Sequence, residues 1–207
     1  LMLGKKPTDF DIATDARPER VRKLFRRSRI IGRRFRLVHV YIGGKTLEVS
    51  TFRNSGNSDS HDEFGTLSQD VGRRDFSMNA LYYEPKTEYI IDHVDGIEDI
   101  RNQRIRLLTS VDESFSEDPV RMVRAIRYAS TTSFAIPNRL ARGIRKHAFR
   151  LRECPVSRLT EELFKIVSCG ASRAFFESAK DLGVLGFLVT EIDKAISDSS
   201  TKAKLFR

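Results

Sequence analysis

Three carboxylates in the first quarter of the chain have the types and spacing that metal-ion chemistry needs. Asp9 and Asp11 lie two residues apart in a polar–apolar alternation, 9–14, that is typical of a short β-strand. Side chains two apart on a strand share a face, roughly 6–7 Å from each other, so these carboxylates could bind two cations about 3.5–4 Å apart. Glu48 lies inside a second β-rich segment. If the sheet places Glu48 beside the aspartates it becomes the third carboxylate of a two-metal site, and otherwise it belongs to a solvated strand face.

A second group of residues is suited to binding phosphate. Arg73 and Arg74 are followed by Asp75 and then by a strand-like apolar run. Guanidinium groups bind phosphate oxygens through two parallel hydrogen bonds, and a carboxylate next to them can orient an arginine or a nucleotide sugar. The alternative is an ordinary Arg–Asp pair at the surface.

A third group could read a nucleobase. Asp118 and Arg121 are three apart in a predicted helix, 118–130, so their side chains should project together. A carboxylate that accepts and a guanidinium that donates match the Watson–Crick edges of adenine and cytosine and oppose those of guanine and uracil. Arg124 and Arg127 continue at three-residue steps and could reach phosphates. The alternative is a helix with ordinary ion pairs, Glu117–Arg121 among them.

The secondary-structure pattern changes near residue 110 and predicts an α+β fold. The first half indicates one helix, capped by Thr14 or Asp15, with Pro18 in its first turn and an apolar stripe that reaches Phe25. A loop is predicted over 54–72, and strands are predicted over 9–14, 35–42, 46–52, 78–83, 89–94 and 105–108. The second half indicates helices over 118–130, 139–149, 157–167 and 173–182. We therefore predict a sheet-containing head over 1–110 and a helical extension over 111–207.

Composition narrows the class of protein. Lys and Arg number 37 against 28 Asp and Glu, and the net charge of +9 favours a polyanionic partner. No apolar run approaches the roughly 20 residues that span a bilayer. Cys154 and Cys169 lack metal-site spacing and are predicted to be buried, reduced thiols of a cytoplasmic protein. The opening Leu1-Met2-Leu3-Gly4 resembles the middle of a longer protein.

Taken in order, these motifs resemble one known family. Asp-x-Asp, a mid-strand Glu, Arg-Arg-Asp-Phe-x-x-Asn and Glu-Asp-x-x-Arg are similar to the class II tRNA nucleotidyltransferase and bacterial poly(A) polymerase family, over roughly residues 4–185. Within that family, the segment 30–40 resembles the one that marks poly(A) polymerases rather than CCA-adding enzymes. The segments 5–11 and 118–122 also favour the polymerase branch.

The resemblance implies a nucleotidyltransferase head with a small mixed β-sheet, followed by a helical neck and the start of a body domain. It implies that Asp9 and Asp11 bind two Mg²⁺ ions, that Glu48 assists them, and that Asp75 belongs to the catalytic centre. The residues that it assigns to the incoming nucleotide are Arg73, Arg74, Asn79, Asp118, Arg121, Arg124 and Arg127.

The activity expected from the resemblance is template-independent transfer of AMP from ATP to RNA 3′ ends, with CCA addition to tRNA as the alternative. A non-catalytic RNA-binding protein that kept the fold is the alternative from another class. Members of the family carry a Gly-Gly-x-Val-Arg-Asp segment that helps to bind the triphosphate, just before the point that corresponds to Leu1. The resemblance thus implies a head that is truncated at its N-terminus, and we expect the chain as given to have little or no transfer activity.

Overall fold

The structure, a computed structural model, describes residues 2–4, 10–32, 36–54 and 64–197. The chain divides into two units, Leu1–Arg73 and Arg74–Arg207, and each is described by itself. In this division residues 74–110 belong to the unit that contains most of the described helices. The domain boundary near residue 110 stays a prediction.

The first unit is built on a small mixed sheet. Its described elements, in chain order, are β1 (Asp11–Thr14), α1 (Pro18–Leu24), β2 (Ser28–Ile31), β3 (Leu37–Ile42), β4 (Lys45–Thr51) and α2 (Leu67–Gly72). The strands lie in the order β1-β4-β3-β2, with β1 parallel to β4 and the other pairs antiparallel. The α+β class and the mixed sheet predicted from the sequence are confirmed.

One face of this sheet is apolar and the other is polar. Val38, Val40 and Val49 share a face and pack with Val21 of α1 in a small buried cluster. The intervening residues of each strand point the opposite way because the strand period is two. The β3–β4 turn, Gly43-Gly44, has φ values of 56° and 77°. Positive φ at both central residues is what a two-residue type I′ hairpin turn requires. The predicted hairpin is therefore confirmed.

The second unit begins with a short hairpin and continues as helices. Its described α-helices and strands are β5 (Tyr82–Glu84), β6 (Tyr89–Ile91), α3 (Gly96–Arg101), α4 (Val111–Glu117), α5 (Val120–Thr132), α6 (Asn138–His147), α7 (Val156–Ser168), α8 (Ser172–Asp181), α9 (Leu185–Leu188) and α10 (Thr190–Ser197). Two 3₁₀ segments, Ser77–Asn79 and Ala148–Glu153, connect them. The largest fully buried side chains include Phe76, Phe115, Met122, Ile126 and Phe175. None of the described helices has the length and apolar character that crossing a membrane demands.

A buried carboxylate joins the start of this unit to α3. Asp99 is fully buried, accepts from Ser77 Oγ at 2.6 Å, and pairs with Arg104 and with Arg106, whose Nε lies 2.5 Å away. Burial alone would raise the pKa of Asp99, but the hydrogen bonds from Ser77 and the two arginines outweigh it and hold the pKa below its ordinary value. Asp99 therefore stays ionised and links three segments.

Several predicted elements were wrong. The segment 105–108 forms no strand and contributes only an isolated bridge, Phe76↔Leu107. The start of the strand predicted over 78–83 is 3₁₀ helix, because Ser77 N–H donates to Arg106 O and its hydroxyl donates to Asp99. Within the loop predicted over 54–72, residues 55–63 lie outside the described ones and α2 occupies the end.

Both cysteines are free, as predicted. Cys154 is half-buried and its burial raises the pKa of the thiol. Cys169 is exposed, so the prediction that it would be buried was wrong. Its position directly after α7 puts it at a helix end, where a small side chain meets solvent.

Candidate functional site

A row of polar side chains crosses the face of the sheet opposite α1. Asp11 on β1 is paired in register with Glu48 on β4, and Glu48 is paired with His39 on β3. Residues that are directly opposite each other share a face, so the two carboxylates are neighbours across a parallel pair. His39 Nε2 lies 3.2 Å from Glu48 Oε1, and the Glu48 side chain is 50 % exposed. The structure thus brings Glu48 beside Asp11, the arrangement that the metal-site hypothesis requires.

The donor chemistry of this pair suits Mg²⁺, which binds carboxylate oxygens and keeps several waters. Asp9, the other predicted ligand, lies outside the described residues. Within the described ranges, His, Cys, Asp and Glu side chains form no group of three or more that could hold a metal ion. The assignment of Asp9 and Asp11 as ligands therefore stays a prediction, with an oxygen donor set that fits the ion.

The two arginines before Asp75 have different surroundings. Arg73 follows α2 and its Nη1 donates to the buried Asp70 at 3.1 Å. Arg74 begins the second unit, and its Nη2 and Nε donate to Tyr82 Oη at 2.8 and 3.2 Å. Each guanidinium is thus oriented by a neighbour in its own unit. Phosphate binding by these arginines stays a prediction.

Asp75 is the centre of a hydrogen-bonded cluster in the second unit. Its Oδ2 accepts from Arg124 Nε at 2.6 Å, while Oδ1 accepts from its neighbour Phe76 N–H at 2.9 Å and from Asn79 Nδ2 at 3.3 Å. With 11 % of its side chain exposed, the carboxylate is mostly enclosed by these donors. The contact with Arg124 is one of the two roles that the sequence suggested for Asp75, the orientation of an arginine.

Arg124 and Arg127 on α5 share a buried partner that the sequence analysis missed. Glu162 on α7 accepts from Arg127 Nε at 2.8 Å and from Arg124 Nη1 at 3.4 Å. Tyr128 Oη accepts from Arg124 Nη2 at 3.1 Å, and the Arg127 guanidinium lies over the Tyr128 ring at 4.4 Å. Burial lowers the pKa of Arg124 but the charge of Asp75 overrides it, so the net shift is upward.

The predicted base-reading pair is arranged differently from the expectation. Asp118 is not on the helix with Arg121; it has extended backbone, φ −147° and ψ 93°, because it precedes Pro119 and that position disfavours helix. Its Oδ1 and Oδ2 accept from Arg158 Nη1 and Nη2 at 2.9 and 2.7 Å. Arg121 Nη1 donates to Glu117 at 2.6 Å, the ion pair weighed as the alternative. Both groups are therefore held in place by partners in the second unit.

No local signal in the sequence marks Arg158 or Glu162. Arg158 lies 40 residues from Asp118, and Glu162 lies 35 residues from Arg127. Both partnerships depend on how α7 packs against α5, which periodicity alone does not determine. Arg158 and Glu162 lie four residues apart, about one helical turn, which indicates only that they share a face of α7.

Two family models match the chain. The model of the "Poly A polymerase head domain" matches residues 1–106, and that of the "Probable RNA and SrmB- binding site of polymerase A" matches residues 133–196. The arginine-rich helix α5 lies between the two matches. The first match begins at Leu1 and contains the predicted metal ligands and Arg73-Arg74-Asp75.

Similar proteins come from both branches of this family. Poly(A) polymerase I of Salmonella typhi is 35 % identical over an alignment of 219 positions. This alignment covers 98 % of this chain and 47 % of that protein. A CCA-adding enzyme of Lactobacillus helveticus is 33 % identical, covering 100 % of this chain and 51 % of that protein. The crystal structure of Bacillus stearothermophilus CCA-adding enzyme in complex with CTP superimposes with a TM-score of 0.81 at 33 % identity, over 90 % of this chain and 46 % of that one.

This chain spans about half the length of the curated relatives that it matches. The relatives are nucleotidyltransferases of two kinds, and neither sequence identity nor fold separates the kinds here. The motif order, the mixed sheet and both family models indicate the same family. The chain belongs to the nucleotidyltransferase family that comprises the poly(A) polymerases and the CCA-adding enzymes.

Proposed function

We propose that the natural full-length protein is a template-independent RNA adenylyltransferase, which adds AMP from ATP to RNA 3′ ends. The observation that carries the proposal is the in-register pairing of Asp11 with Glu48, which places two carboxylates side by side on the sheet face away from α1. Adjacent carboxylates of this kind are what phosphoryl-transfer sites use to bind divalent ions. The net charge of +9 supports a polyanionic substrate.

In the proposed reaction the RNA 3′-oxygen forms a bond to the α-phosphorus of ATP, the bond to the pyrophosphate oxygen breaks, and the hydroxyl proton passes to solvent. Asp9 and Asp11 would hold Mg²⁺, with Glu48 beside Asp11. When bound, Mg²⁺ lowers the pKa of the attacking hydroxyl and neutralises charge on the triphosphate.

The remaining groups bind and orient the nucleotide. Arg127 and Arg74 supply guanidinium charge for phosphate oxygens, and Asp118 with Arg121 reads the base edge. Asp75 orients Arg124, to which it is hydrogen-bonded at 2.6 Å. Lys and Arg side chains at the surface bind the phosphates of the RNA backbone, an interaction that does not depend on the RNA sequence.

CCA addition to tRNA is the second candidate function. The observation that favours it is the TM-score of 0.81 with a CCA-adding enzyme in complex with CTP. An acceptor–donor pair such as Asp118 and Arg121 suits both adenine and cytosine, so it agrees with either candidate.

The test uses the natural full-length protein with two RNAs, an unstructured RNA and a tRNA that lacks its terminal CCA. With ATP and Mg²⁺, we expect long A tails on both. Asp9→Ala and Asp11→Ala should each abolish addition, because each removes a proposed metal ligand. The control Asp15→Ala changes an exposed aspartate just after β1 and should leave addition unchanged.

Two results would contradict the proposal. Near-normal addition by both the Asp9 and the Asp11 variant would exclude these residues as metal ligands. Incorporation from CTP and ATP that stops after C, C and A on the tRNA, with no tail on the unstructured RNA, would establish the second candidate instead.

A further inference from the structure

The carboxylate of Glu162 is a buried charge that has no assigned role in the proposed reaction. It lies on α7 with 5 % of its side chain exposed, within the segment that matches the RNA-binding family model. Burial would raise the pKa of Glu162, but the positive charges of Arg127 and Arg124 outweigh it and keep the pKa below its ordinary value. A buried carboxylate that remains ionised is costly unless it keeps its hydrogen-bonded cationic partners, so Glu162 favours the arrangement in which both arginines stay paired with it.

The two arginines that Glu162 contacts are engaged to different extents. All three guanidinium nitrogens of Arg124 have acceptors: Asp75, Glu162 and Tyr128. In this arrangement only the second hydrogen on each terminal nitrogen of Arg124 remains for a ligand. Arg124 is a bridge that connects Asp75 to α7.

Arg127 is only partly engaged. Its Nε donates to Glu162 at 2.8 Å and its guanidinium plane is supported by Tyr128. Among the described residues neither terminal amino group of Arg127 has an acceptor, and neither is among the side-chain atoms that are both buried and unpaired. With 12 % of its side chain exposed, Arg127 keeps limited contact with solvent at these groups, while its Nε is held by Glu162.

We propose that Glu162 is a positioning residue, which fixes Arg127 so that its terminal amino groups can bind the phosphates of the incoming nucleotide. This inference rests on the proposed function, which makes a nucleoside triphosphate the ligand. A guanidinium that is already oriented loses less conformational entropy on binding than a mobile one. Glu162 thus contributes to nucleotide affinity from a helix of the RNA-binding segment, without contacting the nucleotide.

The test is a comparison of Glu162→Gln with the matched control Glu161→Gln in the natural full-length protein. Glutamine keeps the size of Glu162 and removes the charge that orients Arg127. Glu161 is adjacent, exposed and shares the partner Lys165, so its variant controls for changes at Lys165. We expect Glu162→Gln to raise KM for ATP about tenfold, the effect of weakening one charge-assisted contact, with kcat changed less than about threefold. Glu161→Gln should match the wild type.

A double-variant cycle distinguishes positioning from general stability. If Glu162 acts through Arg127, the variant Glu162→Gln/Arg127→Gln should have the KM of Arg127→Gln alone. Glu162→Asp, which keeps the charge, should retain KM within about threefold of the wild type. Additive effects in the cycle would overturn the inference. So would an unchanged KM in Glu162→Gln, or a loss of kcat and thermal stability without a change in KM.

Equilibrium titration with a fluorescent ATP analogue and Mg²⁺ separates this inference from the proposed function. The titration compares the wild type with Glu162→Gln by their dissociation constants for the analogue, whichever reaction the protein catalyses. A wild type that adds CCA, or adds nothing, refutes the proposed function. Equal affinity of the wild type and Glu162→Gln for the analogue refutes the positioning role.

Discussion

Replacing Asp118 with alanine should separate base reading from folding. The Asp118 carboxylate is 20 % exposed and binds both terminal nitrogens of Arg158, which is itself 50 % exposed. When the carboxylate is removed, water can solvate Arg158, so the pair should contribute under about 1 kcal/mol to stability. The hydrogen bond from Val120 N–H at 3.3 Å is long and adds little. The variant should therefore fold.

The expected loss of activity is larger than the loss of stability. If Asp118 accepts from the adenine amino group, its removal deletes a hydrogen bond to a charged acceptor, which is worth roughly 1.5–3 kcal/mol. That range corresponds to a roughly 10- to 150-fold fall in kcat/KM for ATP. Discrimination against GTP and UTP should fall by a similar factor, because a wrong base no longer meets a mismatched carboxylate.

Initial rates with each of the four nucleoside triphosphates on an unstructured RNA measure both effects. Arg158→Gln is the companion variant, since it keeps the carboxylate and removes only the group that orients it. It should lower kcat/KM for ATP less than about fivefold, the equivalent of 1 kcal/mol. An unchanged ratio of ATP to GTP use in a folded Asp118→Ala protein would place base reading elsewhere.

Two further predictions concern stability. Asp99→Ala removes a fully buried carboxylate from Arg104 and Arg106, which are 45 % and 38 % exposed and can be partly solvated. We expect about 2–3 kcal/mol of destabilisation and a fall in Tm of about 4–12 °C by circular dichroism, with little change in Glu98→Ala; a shift under about 2 °C would contradict the assignment. Hydrogen bonds from Lys146 and His147 lower the pKa of Asp112 from 3.8 to about 2, so its contribution is present above about pH 4 and is lost as pH falls towards 2. Asp112→Asn should therefore flatten the decline of Tm between pH 4 and 2, and an undiminished decline would exclude this pair as a cause.

Elements that depend on turn residues, proline and apolar spacing could be predicted from the sequence. Gly43-Gly44 identified the β3–β4 hairpin, and the apolar spacing around Met122 and Ile126 located α5 to within two residues at each end. Pro18 lies in the first turn of α1 as predicted, but the predicted cap at Thr14 or Asp15 was wrong, because Arg17 is the N-cap. The short helix α2 was missed although Thr66 and Gln69 form a capping box, a signal that is present in the sequence.

Tertiary partners could not be predicted in the same way. Asp75 and Arg124 are 49 residues apart and belong to different sequence motifs. Nothing in either motif says that one carboxylate will orient one arginine of α5 rather than a ligand. The same holds for Asp118, whose position before Pro119 favours extended backbone. The backbone conformation of Asp118 could thus be predicted from the sequence, whereas its partner Arg158 could be identified only from the fold.

The parallel pairing of β1 with β4 has a consequence for the order of folding. Asp11 and Glu48 face each other only across this pairing, whose partners are 37 positions apart, whereas β3 and β4 are joined by a two-residue turn. Closing the longer loop costs chain entropy before any contact offsets it, so the local hairpin is kinetically favoured and the first strand docks later. The Asp11–Glu48 pair is thus absent from any intermediate that has only its hairpins, and the proposed metal site in this unit would form only once β1 has docked against β4.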